Sequence, residues 1–215
     1  MIAAALDQLL YAFVTLIALV NPISAAAVFA TVTEGRSPAE RAQIAKRASI
    51  VATITLIAFA FAGEALLGAL GVEVGAFKIA GGLLLLKVAF NMVFGETLGS
   101  QAGNRNKRSG HKAIDPAVFP LAIPMITGPG ALTASVALIN PAPDHQTVNE
   151  VTFVVAALIV IGITYLFMRG AEQLTRWFGE TGIDAISRIV GIVVAAIAVQ
   201  LVVNGVAALT ALKIR

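Results

Sequence analysis

Cysteine is absent from the 215 residues, which excludes structural disulfides and thiolate metal sites. Charge is scarce as well. Asp, Glu, Lys and Arg make up 13% of the chain, and the net charge of +3 comes from basic residues in short loops, so no face suited to nucleic acid forms. The two histidines, His111 and His145, fall between apolar segments and have no metal-ligand spacing. The apolar segments contain neither His nor Cys and no acidic pair. An intramembrane protease or lipid-modifying enzyme needs a nucleophile with its base, or paired carboxylates, at membrane depth. The chain is therefore not expected to be an enzyme, and no cofactor or metal is expected. What remains is overwhelmingly apolar. Hydrophobic residues make up 58% of the chain and the mean hydropathy is +0.89, values that define an integral membrane protein lying in a lipid bilayer.

Six apolar segments lie at roughly 8–32, 48–70, 74–95, 116–140, 150–169 and 187–210, each long enough to cross a hydrocarbon core as a helix. The first could pass for a signal peptide, but no Lys or Arg precedes it and Asp7 stands where a positive region would be. It is read as an uncleaved span. The second and third are separated only around Gly71-Val72-Glu73, so a tight helical hairpin is expected. The one long polar stretch, TLGSQAGNRNKRSGHKAID at 97–115, reads as a flexible cytoplasmic linker. The predicted organisation is thus a three-helix repeat at 1–96, the linker at 97–115, and a second three-helix repeat at 116–215.

Basic residues are distributed unevenly. Arg36, Arg41, Lys46 and Arg47 follow the first segment, Arg105, Lys107, Arg108 and Lys112 lie in the linker, and Arg169, Arg176 and Arg188 flank the fifth connection. Eleven of the fifteen basic residues therefore fall on one side, against Lys78, Lys213 and Arg215 on the other and Lys87 within a span. The positive-inside rule predicts both termini outside. Three spans per half also invert the second half relative to the first. KIAGGLLLL at 78–86 resembles RIVGIVVAA at 188–196, which favours an inverted 3+3 repeat in an all-α membrane fold.

Two of these segments are interrupted near their midpoints, the first at Asn21-Pro22 and the fourth at Thr127-Gly128-Pro129-Gly130. Proline removes a helical amide and suits the first position of a new helix, and asparagine is among the best residues just before it. Two half-helices starting near Pro22 and Pro129 are expected, with glycines 128 and 130 taking backbone angles other residues avoid. An exposed helix N-terminus favours a carboxylate, and carbonyls left over from the preceding half-helix favour an ammonium group or a cation. With no Asp or Glu near either break, a zwitterion matches the site. The candidate binding residues are Asn21, Pro22, Ile23, Ser24, Thr127, Gly128, Pro129 and Gly130. Ser24, Thr127 and Thr133 offer hydroxyls, and the alanines at 25, 26, 27 and 131 favour a small ligand. A proline kink that only packs is the competing reading, and it suits Pro120 and Pro124, which lie off-centre. Asn91 and Gln200 are polar within spans and are read as making interhelical hydrogen bonds. Lys87 is placed to snorkel, and Glu64 and Glu96 lie near span ends.

The motifs LVNPIS at 19–24, FKIAGGLLL at 77–85, FPLAIPMITGPGAL at 119–132 and RIVGIVVAAIAVQ at 188–200 resemble the MarC family of inner-membrane proteins along nearly the whole chain. That resemblance implies six spans with discontinuous first and fourth helices. It also implies transport of small neutral amino acids such as glycine and alanine, with proton coupling; a sodium ion is the alternative candidate for the coupling ion. Asn91 and Lys87 make the third span more polar than the resemblance implies. The leading expectation is a secondary transporter working by alternating access, one half rocking against the other. The alternatives are an exporter or channel for another small zwitterion, and a non-transporting membrane scaffold.

Overall fold

A computed structural model describes residues 2–94, 115–139 and 146–213. The linker expected at 97–115 lies outside these residues except for Asp115, as do Glu96, His111 and His145. The described residues form helices and no strands: α1 (Ile2–Val20), α2 (Pro22–Val32), α3 (Pro38–Ala69), α4 (Val74–Phe94), α5 (Ala117–Ile126), α6 (Pro129–Ile139), α7 (Gln146–Arg169) and α8 (Ala171–Lys213). Five stretches are long and apolar enough to cross a membrane: Ala5–Val32, Pro38–Ala69, Val74–Phe94, Val148–Arg169 and Thr181–Thr210. The expected fourth crossing is not one helix but two short elements, α5 and α6.

Local chemistry sets the ends of the elements. Ser37 and Glu40 form a reciprocal cap at the start of α3: Glu40 N–H donates to Ser37 Oγ at 3.3 Å, and Ser37 N–H donates to Glu40 Oε2 at 2.9 Å. This cap starts α3 ten residues before the apolar run at 48–70. At the other end, Gly71 takes the left-handed conformation at φ 68°. Val72 N–H reaches back to Leu67 O at 2.9 Å and Gly71 N–H to Gly68 O at 3.0 Å, which closes the α3–α4 hairpin where it was expected. The α7–α8 connection is shorter than expected, a single glycine at 170, because α8 begins at Ala171 and bends at Gly179 (φ 62°, ψ 173°). The turns before that bend carry Trp177 at 82% exposure, the kind of residue that settles at a membrane interface.

Packing crosses between the two halves of the chain. α7 lies against α1 and α2, α3 lies against α5, α6 and α7, and α4 lies along α8. The α4–α8 pair is antiparallel, with small residues meeting every seventh position: Gly75 faces Gly205, Gly82 faces Ala198, and Ala89 faces Gly191. A methyl group at Gly82 would lie 2.8 Å from Ala198 O, and one at Gly75 would lie 3.0 Å from Gly205 O. Only residues without side-chain bulk let two backbones approach this closely, which in lipid is a main source of helix association. The remaining core joins Ala12, Leu16 and Val20 of α1 to Phe153, Ala156 and Val160 of α7, and extends to Leu121 and Ile126.

Contacts at one end tie together the connections that carry basic residues. Arg41 pairs with Glu172 and stands 5.7 Å over the Phe29 ring. Arg47 meets Asp115 at 3.2 Å, and Arg188 donates to Val93 O at 3.1 Å.

Candidate functional site

α1 stops at Val20 and α2 restarts at Pro22, with Asn21 between them at φ 47° and ψ 78°. This is the left-handed region, and Asn21 is the one non-glycine residue among those described that occupies it. Asparagine tolerates this conformation because its short carboxamide bonds locally. Here Asn21 Oδ1 accepts from Ser24 N–H at 3.2 Å, Asn21 Nδ2 donates to Ser24 Oγ at 2.7 Å, and the same amide stands 4.0 Å from Met92 Sδ on α4. The expected cap is present, and its side chain also links the break to α4. Asn21 is 6% exposed, Pro22 is buried, and Ile23 and Ser24 are half-buried.

The second break is longer than the sequence indicated. Phe119 (φ −129°, ψ 126°) and Ile123 (φ −127°, ψ 123°) are extended inside α5, and each precedes a proline, Pro120 and Pro124. Proline's ring clashes with a helical residue before it, so each forces its neighbour out of the helix. The coil widens to bonds spanning five residues. Thr127 N–H and Thr127 Oγ1 both donate to Ala122 O, at 2.9 and 2.8 Å. α6 then begins at Pro129, with Gly128 O accepting from Leu132 N–H at 3.0 Å.

Gly128 and Gly130 are not in the left-handed region. The glycines that are, among those described, are Gly35, Gly71 and Gly179. The expectation of unusual angles at this break is therefore corrected, and close approach explains Gly130 instead. A methyl there would meet Leu85 Cδ1 at 2.5 Å. One turn further along α6, Thr133 donates to Pro129 O at 2.8 Å and presses against the Gly81 backbone on α4. Thr127 and Thr133 thus spend their hydroxyl protons on their own chain, which leaves Ser24 as the hydroxyl best placed to donate to a ligand. Ala25, Ala26 and Ala131 are buried in the core and serve packing.

The two sets of candidate residues converge on α4. Asn21 reaches Met92 and Gly130 meets Leu85, seven residues apart on one face and so about 10 Å apart along the axis. Among the described residues, neither break is bonded to an Asp, Glu, Lys or Arg side chain. Lys87 is exposed, about 200° around α4 from Leu85, and does not face the breaks. Gln200 bonds within its own helix rather than to another one. No cluster of three or more His, Asp or Glu that could hold a metal occurs among the described residues. Glycine-mediated approach to α4 was the feature missed in the sequence. The paired Gly81-Gly82, one glycine facing α6 and the other α8, was its available sign.

Long apolar helices, two of the apolar segments interrupted at residues without charge, define an integral membrane protein. The chain matches the model of the MarC family integral membrane proteins over residues 6–210, and it belongs to that family. It is 36% identical over 201 residues to the UPF0056 membrane protein MJ1677 of Methanocaldococcus jannaschii, covering 94% of this chain and 97% of the relative. Identity to a UPF0056 membrane protein of Archaeoglobus fulgidus is 35% over 209 residues, covering 96% and 95%. The UPF0056 membrane protein YvbG of Bacillus subtilis is 30% identical over 200 residues, covering 92% and 93%. No solved structure matches the chain.

Proposed function

We propose that this protein is a secondary transporter of small neutral amino acids of the glycine and alanine class, binding substrate between the α1–α2 and α5–α6 breaks by alternating access. The observation that carries this reading is the pair of helix restarts, at Pro22 and Pro129, meeting one face of α4. Each restart offers the positive end of a helix dipole, worth roughly 0.3–1 kcal/mol to a carboxylate and more when sheltered. The widened α5 and the end of α1 offer carbonyl oxygens for an ammonium group. Among the described residues no charged side chain is bonded to either break, which favours a zwitterion over a charged substrate.

In this reading α5 and α6 together make the fourth crossing, which brings the total to six, and the halves form an inverted repeat. The exchanged packing, α3 on α5–α6 and α7 on α1–α2, is the pattern two inverted halves produce. The clustering of Arg41, Arg47 and Arg188 at one end supports a cytoplasmic face there, with both termini outside the inner membrane. Rigid halves are poorly suited as moving bodies, because the packing between them is more extensive than that within them. The α4–α8 pair moving against the other helices keeps the glycine seam whole and displaces the surface that both breaks touch.

The test is flux into liposomes containing purified protein, using labelled glycine, alanine, serine and a charged control under imposed proton or sodium gradients. Saturable glycine or alanine uptake or efflux is expected, and the gradient that drives it identifies the coupling ion. An equal response to every solute makes the protein a channel, and no flux of any solute overturns the reading.

A further inference from the structure

Gln200 and Asn204 lie one turn apart on α8, and Gln200 Nε2 donates to Asn204 Oδ1 at 2.8 Å. Both are exposed, on a strip that continues through Ala196, Val203 and Ala207. This strip faces away from α4. Gln200 lies about 200° around the helix from Ala198, a buried residue of the glycine seam. Within the apolar stretch Thr181–Thr210, Gln200 is about 7 Å and Asn204 about 13 Å from the centre. Both fall inside a hydrocarbon half-thickness of about 15 Å. Among the described residues their mutual bond leaves Gln200 Oε1, Asn204 Nδ2 and a second N–H of Gln200 without a partner. Lipid tails supply no hydrogen bond, so these groups are costly on a lone molecule.

We propose that this strip of α8 is the interface between two copies of the chain, with carboxamide meeting carboxamide across a two-fold axis normal to the membrane. Two copies inserted in the same orientation place their α8 helices at equal depth, so each amide faces its own counterpart. A carboxamide is both donor and acceptor and therefore complements itself. Ala196 and Ala207, on either side of the amides, let the helices approach closely. The strip carries no charge between Ile189 and Thr210, which gives a charged partner nothing to recognise.

The absence of native cysteine permits a direct test in native membranes. A single cysteine at Val203, 53% exposed on this strip, is compared with one at Phe61, 50% exposed on α3. Oxidation should join Val203→Cys chains into a covalent dimer and leave Phe61→Cys monomeric. In liposomes, energy transfer between labelled copies across a range of protein-to-lipid ratios gives the dimerisation constant. The double variant Gln200→Leu, Asn204→Leu should weaken it on the order of tenfold without lowering the melting temperature of the monomer. Cross-linking at neither site, equal cross-linking at both, a product containing a different protein, or an unchanged dimerisation constant in the double variant would each overturn the proposal.

Discussion

Adding a single methyl group at Gly130 tests how α6 is held against α4. The new carbon would stand 2.5 Å from Leu85 Cδ1, 2.9 Å from Cδ2 and 3.0 Å from Cγ, and Leu85 is itself 4% exposed with little room to turn. Overpacking of this kind costs roughly 1–3 kcal/mol, offset by the up to about 1 kcal/mol that alanine gains over glycine in a helix. Gly130→Ala should therefore destabilise by up to about 2 kcal/mol. Leu85→Ala alone should cost about 2 kcal/mol, the low end for core truncation, because lipid tails are as apolar as leucine and chiefly the cavity term remains. Combined, the methyl occupies part of the space that Leu85 vacates, so the double variant should be about 1–2 kcal/mol more stable than the sum of the singles. Unfolding by increasing SDS in mixed micelles, followed by circular dichroism, gives all four corners of the cycle. If Gly130 were required for its backbone angle, removing Leu85 would rescue nothing. Additivity within about 0.5 kcal/mol would therefore refute the packing account.

At the other break, Asn21→Ala loses the cap and places alanine in the left-handed region, for about 2 kcal/mol in total, whereas Asn21→Gly keeps the angle and should cost only a few tenths. Melting temperatures of the two variants should differ in that order, and equal losses would show that the conformation at Asn21 does not matter. Alkaline phosphatase fused after Arg215 should be active and green fluorescent protein fused there dark, as both require a C-terminus outside the cytoplasm. The reverse pattern would refute the orientation.

Apolar segments, the α3–α4 hairpin and both restart points were legible in the sequence because each rests on a local rule. Pro22 and Pro129 each begin a helix where the loss of an amide costs nothing, and Gly71 closes a turn that needs positive φ. The early start of α3 was missed because hydropathy reports burial in lipid, whereas a helix begins at its cap, here Ser37 and Glu40. The unwinding of α5 was local as well, but it takes effect at Phe119 and Ile123, one residue before each proline. The role of Gly130 was misread because it depends on Leu85, forty-five positions away, and no local pattern reports a close approach between distant helices. The partner of Asn21, Met92, was hidden for the same reason.

The exchange of helices between the halves also sets an order of assembly during synthesis. α1 and α2 pack against α7, yet the ribosome reaches Arg169 about 7 to 27 s after it passes Val32, at roughly 5–20 residues per second. Throughout that interval the first helices sit in the bilayer without their main neighbours, and the break at Asn21-Pro22 relies on its own local bonds between Asn21 and Ser24. α4 waits longer still, because its seam is complete only when α8 emerges. The first four helices gain partners when α5 and α6 emerge, and maturation ends only when α7 and α8 arrive and join the earlier helices.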